Sequence, residues 1–124
     1  GRAIKINPGY ADAYYNRGIA FNNLSNYKQA IENYNTAIEI KRDFANAYNN
    51  RGAAYNVLGT YRQAIEDYGR AIEINPGYKM AYFNRAIVYL NQGDKISGCR
   101  DAQKVCELRD CRLLEAAKGK GLCR

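Results

Sequence analysis

From Tyr27 to Ile40, apolar and small residues return every three or four places (Tyr27, Ala30, Ile31, Tyr34, Ala37, Ile38), while Lys28, Glu32, Asn33, Asn35 and Glu39 fall opposite. That spacing lines one face of an α-helix and predicts a buried stripe. The pattern is then written again: residues 11–44 recur as 45–78, and a third, more divergent time from Lys79. In register stand Tyr14, Tyr48 and Tyr82; Phe21, Tyr55 and Tyr89; Ala30 and Ala64; Tyr34 and Tyr68; Ala37 and Ala71; and the glycines Gly59 and Gly93. The small residues Gly18, Gly52, Ala30 and Ala64 are expected where two helices approach closely, with tyrosines filling the space between successive helix pairs. Asn-Pro-Gly at 7–9 and 75–77 is expected to end a helix, because proline cannot continue one and glycine accepts the left-handed conformation. A unit of this size cannot hide its apolar face alone, so stability must come from stacking on neighbours.

A period of 34 residues with aromatic and small residues alternating at these offsets, closed by Pro76, resembles the tetratricopeptide repeat, here as a bacterial-type array with a cysteine-containing C-terminal cap. The resemblance runs from residue 3 to about residue 98. It implies an all-α fold, a right-handed superhelical solenoid of antiparallel helix pairs, with an inner groove lined by the first helix of each pair. Residues 1–10 then read as the tail of a truncated preceding repeat, 11–44 and 45–78 as full repeats, 79–110 as a degenerate repeat, and 111–124 as a capping helix and tail. With that front incomplete, the side of helix 11–24 near Tyr14 and Ile19 is expected to face water.

Composition narrows the function classes. The chain has 124 residues, 47% of them hydrophobic, and no run approaches the roughly 20 apolar residues of a membrane span. Its net charge of +7 is uneven: residues 11–78 hold seven Lys/Arg and seven Asp/Glu, whereas residues 79–124 hold ten and five. The basic end has no nucleic-acid motif and few aromatics among its charges, so it reads as a solvated surface. There is no histidine to act as general base and no phosphate-binding glycine loop. The carboxylates fall on positions expected to face solvent or to lie at helix ends. Neither an enzyme nor a cofactor is expected.

The four cysteines, Cys99, Cys106, Cys111 and Cys123, all lie in the last quarter. Their gaps lack the short Cys-x2-Cys hooks of most zinc sites, so no metal is expected. If helix 95–108 is followed by an antiparallel helix from about Cys111 to Lys118, the residues flanking the turn come together and so do the far ends. That nests Cys106 with Cys111 and Cys99 with Cys123. Two disulfides imply an oxidising compartment, and hence a secreted, periplasmic or cell-surface protein; free buried cysteines in a cytoplasmic solenoid are the alternative. Gly98, Ala102 and Val105 replace the repeat's alanine, aromatic and alanine here, leaving a thin last unit in need of reinforcement. In the final helix Leu113, Leu114, Ala116 and Ala117 are expected inward, and Arg112, Glu115 and Lys118 outward.

The groove carries the functional expectation. Asn16, Asn50 and Asn84 recur once per repeat, and a carboxamide, being donor and acceptor, can pair with a peptide's backbone whatever its side chains. The arrangement resembles the asparagine ladder in the repeats of O-GlcNAc transferase and kinesin light chain, which hold extended peptides by their main chain. Around it are expected Tyr15, Asn49 and Phe83; Ile19, Ala53 and Ile87; and Asn22, Asn56 and Leu90. A structural reading stands beside this one, in which the asparagines bridge neighbouring repeats. Arg17, Arg51 and Arg85, also in register, would stack on adjacent tyrosines or meet carboxylates of a neighbouring helix, or else reach a ligand carboxylate. The cationic arrangement by which chaperone-binding members clamp a C-terminal carboxylate is not reproduced, since its positions hold Asp12, Asn46 and Met80, and Tyr15, Asn49 and Phe83. Two functions follow: a scaffold gripping an extended peptide or partner protein, or a structural subunit stacking head to tail on further copies of itself into an extracellular filament.

Overall fold

The computed structural model describes residues 8–124, which form seven α-helices and no strand. They are α1 (Pro8–Asn23), α2 (Tyr27–Ile40), α3 (Ala45–Val57), α4 (Tyr61–Ile74), α5 (Lys79–Asn91), α6 (Lys95–Glu107) and α7 (Arg112–Gly119). α1 pairs with α2, α3 with α4 and α5 with α6 as antiparallel hairpins. Each hairpin stacks on the next through α2 against α3 and α4 against α5, and α7 closes on α6. The first helices also touch in series, α1 with α3 and α3 with α5, and so form one continuous face.

One helix start departs from the sequence reading. Asn75-Pro76-Gly77 does end α4, with Asn75 as its C-cap. At 7–9 the following helix, α1, already begins at Pro8 rather than at residue 11, and the helix this tripeptide is expected to end lies outside the described residues. Proline is tolerated in the first turn of a helix, where its missing N–H has no intrahelical partner to lose. Residues 8–10 thus belong to α1, and the remainder of the expected preceding repeat lies outside the described residues.

Within each hairpin the helices meet at a glycine. A side-chain carbon on Gly18 would come within 2.5 Å of the Tyr34 ring, and one on Gly52 within 2.9 Å of Tyr68. The tyrosines therefore seat inside their own hairpins as well as reaching across: Tyr68 shares a cluster with Val88 of the following hairpin. The third hairpin reverses the roles, with Leu90 on the first helix lying over Gly98 on the second. Gly98 is thus a receptor for Leu90 rather than a point of thin packing, and Leu90 joins the core instead of the groove. The space left by Ala102 is filled from α7 by Leu114 and Ala117 together with Cys123. Of the α7 residues expected inward, Leu114 and Ala117 are buried, Leu113 is half-buried and Ala116 is exposed. The turns joining each hairpin's helices need a left-handed residue, supplied by Gly59 and Gly93 and, in the first hairpin, by Ser25 at φ 60°.

Candidate functional site: the face of the first helices

Arg17, Arg51 and Arg85 each turn toward the second helix of their own hairpin. The Arg51 guanidinium binds Asp67 through Nε at 2.8 Å and Nη2 at 2.7 Å; Arg85 binds Asp101 in the same fork at 2.7 and 2.8 Å. Arg17 donates instead to the neutral Asn33 Oδ1 at 2.6 Å. Each arginine also lies over tyrosine faces: Tyr14 for Arg17, Tyr48 and Tyr55 for Arg51, Tyr82 and Tyr89 for Arg85. Arg51 reaches further, donating to Asn35 of the preceding hairpin at 2.9 Å. Both structural expectations are therefore met at once for Arg51 and Arg85, and the tyrosine contact alone for Arg17.

Their partners correct two expectations. Asp67 and Asp101 are buried, at 6% and 3% exposure, not solvent-facing, and Asn33 is buried rather than on the polar side of α2. The physical reason is the fork itself, since a carboxylate leaves water only where charge-assisted bonds replace its hydration. Burial pushes the Asp67 carboxyl above the ordinary range, while Arg51 pulls it back. The sequence signal was present: Asn33, Asp67 and Asp101 share one register, 16 residues after each arginine.

The asparagines form a chain across the repeats. Asn84 Nδ2 donates to Asn49 Oδ1 at 3.2 Å, Asn49 Nδ2 to Asn50 Oδ1 at 3.4 Å, and Asn50 Nδ2 to the Tyr15 hydroxyl at 3.0 Å. The side chains of Asn50 and Asn49 also act on Tyr34 and Tyr78, which sequence reasoning did not attach to this site, pulling their phenols down against the rise that burial imposes. Burial pushes the Tyr34 phenol up to about 12. Asn49 is 4% exposed, so it lies beneath the groove surface as the link between Asn50 and Asn84, not on the surface as expected. Tyr15 is half-buried against Phe44 and Tyr34. Asn50, Asn84, Ile19, Ala53, Ile87, Asn22 and Asn56 are half-buried, while Asn16 is exposed and makes no hydrogen bond to a described residue. Phe83 presents its ring at 37% exposure.

At the front of α1, Tyr10, Ala13, Tyr14 and Arg17 line a shallow hollow. Tyr14 and Ile19, expected to face water, are half-buried; Tyr10 is the strongly exposed ring on this helix. At the other end, the sulfurs of Cys99 and Cys123 and those of Cys106 and Cys111 stand at disulfide distance, spanning 24 and 5 residues. In the chain-entropy picture such links contribute about 3.5 and about 2 kcal/mol, the longer loop more. No group of potential metal ligands occurs among the described residues, and none of their helices is long and apolar enough to cross a membrane.

Stacked helical hairpins with a continuous face of first helices define a class, the helical-repeat solenoids, whose surfaces serve interaction rather than catalysis. Tetratricopeptide-repeat models match residues 11–44, 45–78 and 68–98, and the chain belongs to that family. Its fold is a right-handed superhelical solenoid, like that of the solved neighbours. MamA, known from a crystal structure, is 29% identical with a TM-score of 0.78; the match covers 92% of this chain and 63% of that one, so this chain spans less than two thirds of MamA's length. The second repeat domain of Spaghetti (RPAP3), solved bound to the HSP90 peptide SRMEEVD, is 26% identical with a TM-score of 0.79, over 82% of this chain and 94% of that one. The Arabidopsis OM64 repeat domain has a TM-score of 0.85 at 22% identity, over 93% and 95%. No curated protein sequence matches.

Proposed function

We propose that this chain is a non-catalytic scaffold that holds an extended peptide, or an extended segment of a partner protein, along the face of its first helices. The observation that carries this reading is the state of the asparagines. Asn50 and Asn84 are each fixed by one N–H to the neighbouring repeat, which orients the carboxamide, and at Asn84 leaves the second N–H to be offered to a peptide carbonyl. Asn16 is exposed and uncommitted at the head of the row. Pre-orientation of this kind lowers the entropic cost of binding. The peptide held by the Spaghetti domain, SRMEEVD, is acidic; this chain lacks the cationic positions that would clamp a terminal carboxylate, so an internal extended segment fits its groove better. The two cysteine pairs support disulfides, and with them a secreted, periplasmic or cell-surface location.

The test is Asn16→Ala. Because Asn16 holds no bond to a described residue, the variant should keep its melting temperature and yet bind peptides selected on the wild-type chain several-fold more weakly, as expected for one lost hydrogen bond of about 1 kcal/mol. Unchanged affinity, for this variant and for Asn84→Ala alike, would leave the row a structural bridge and nothing more.

A second reading, head-to-tail stacking of copies into a filament, is favoured by the exposed Tyr10 ring beside the hollow on α1. Such contact joins two different surfaces and continues unless it closes into a ring. Light scattering of the purified chain decides: rods support stacking, and a monomer at high concentration excludes it.

A further inference from the structure

Wherever the chain passes from one hairpin to the next, an aromatic ring closes the corner. Phe44 and Tyr78 share one register and stand immediately before α3 and α5. Phe44 is buried with its ring centroid 4.8 Å from that of Tyr15; Tyr78 is half-buried, with the Asn49 side chain acting on its phenol. At the third corner the residue immediately before α7 is Cys111, paired with Cys106, while the 34-residue register falls on Arg112, the first residue of α7. Its guanidinium turns outward to Asp110 at 2.7 Å and the side chain is 89% exposed, so neither Cys111 nor Arg112 sets a ring over Phe83, the counterpart of Tyr15 and Asn49, which stays 37% exposed. What remains is a pocket of about 180 Å³ lined by Lys79, Met80, Phe83, Val105, Asp110 and Arg112. Met80 is 55% exposed. One wall is held by the Cys106–Cys111 pair, since Val105, Asp110 and Arg112 flank its two members.

The geometry points to a subsite that receives one aromatic side chain of the bound peptide, seated over Phe83 as Phe44 is seated over Tyr15. The inference rests on the groove reading and adds the chemistry of one ligand position. The occupant is argued from the chain itself, which fills the two equivalent corners with its own phenylalanine and tyrosine. Phe83 and Met80 supply an aromatic face and a polarizable flank for such a ring, and Lys79 at the rim favours an acidic neighbour on the peptide.

Met80 is the chain's only methionine, so isotope labelling of its methyl group gives a single nuclear magnetic resonance signal from the pocket floor. Peptides selected from a random phage-displayed library on the full, unreduced chain should share an aromatic residue. Adding such a peptide should move the Met80 signal through the ring current. Replacing the shared residue by alanine, or Met80 by glutamate, should weaken binding about tenfold or more, the scale of burying a large apolar side chain. Peptides that bind and lose affinity to Asn16→Ala while the Met80 signal stays still would overturn the pocket and spare the groove. Recovery of no binder would overturn both. A Met80 signal that moves with protein concentration alone, alongside a rise in mass, would hand the pocket to a second copy of the chain and overturn the peptide subsite.

Discussion

The first two hairpins and the third solve one problem with opposite residues. In the first two the glycine is on the leading helix and a buried tyrosine comes from the second; in the third a leucine on the leading helix meets a glycine on the second. Close approach of two helices needs one small partner at the crossing, and it does not matter which helix supplies it. What the third hairpin cannot reproduce is the reach of Tyr34 and Tyr68, because Ala102 stands at their register. α7 and the cysteine pairs take over that space. The arginine's turn toward the second helix, by contrast, is kept in all three, as a charge-balanced fork in the second and third and as a single bond to a neutral amide in the first.

That last difference gives the largest expected effect. Asp101→Ala strands the Arg85 guanidinium and should cost about 3 kcal/mol in denaturant unfolding, the scale for breaking a largely buried ion pair. Asn33→Ala removes a neutral acceptor from the more exposed Arg17 and should cost about 1 kcal/mol. Equal losses would mean that charge balance contributes nothing to the comparison.

A second contrast is in pH. The Tyr34 phenol, buried over Gly18, is raised from 10.0 to about 12. A raised value means the folded state holds the proton more tightly, so this contribution is complete below pH 10 and is lost as pH rises through 12. Tyr34→Phe should shift the midpoint of alkaline unfolding upward, whereas Ala102, at the same register in the third hairpin, offers no titrating group there. An unchanged midpoint would place alkaline unfolding elsewhere.

The smallest effect belongs to the turns. Ser25 adopts the left-handed conformation that Gly59 and Gly93 adopt in the other two hairpins. Ser25→Gly relieves that strain and should raise stability by about 0.5–1 kcal/mol, while Gly59→Ser should lower it by a similar amount, as thermal melts would report.

Much of this architecture was legible because a repeat states its register several times. Helix pairs, the close approaches at Gly18 and Gly52, the terminal helix and the nesting of the cysteines all follow from aligning the copies. Depth was harder to read. Asn33 and Asp67 lie next to Tyr34 and Tyr68 on the edge of their stripes, and polarity alone assigns them to water until an arginine partner is recognised. Asn49 shares a register with Tyr15 and Phe83, but register names a face and not a level, and the shorter carboxamide sinks beneath the surface where the two rings do not. The start of the first helix was placed three residues late because proline fits a helix's first turn as well as its aftermath. The pocket over Phe83 escaped because a vacancy is visible only when the ring that should fill it, at the corner held by Cys111 and Arg112, is looked for and found missing.

The third hairpin is distinguished by cross-links that stand in for tyrosines, and the same links bear on the compartment and on one wall of the pocket. Digestion of protein purified without reductant, followed by mass spectrometry, tests this most directly. Peptides joined as Cys99 to Cys123 and Cys106 to Cys111 are expected; four thiols open to alkylation, or the cysteines joined in other pairs, would contradict it.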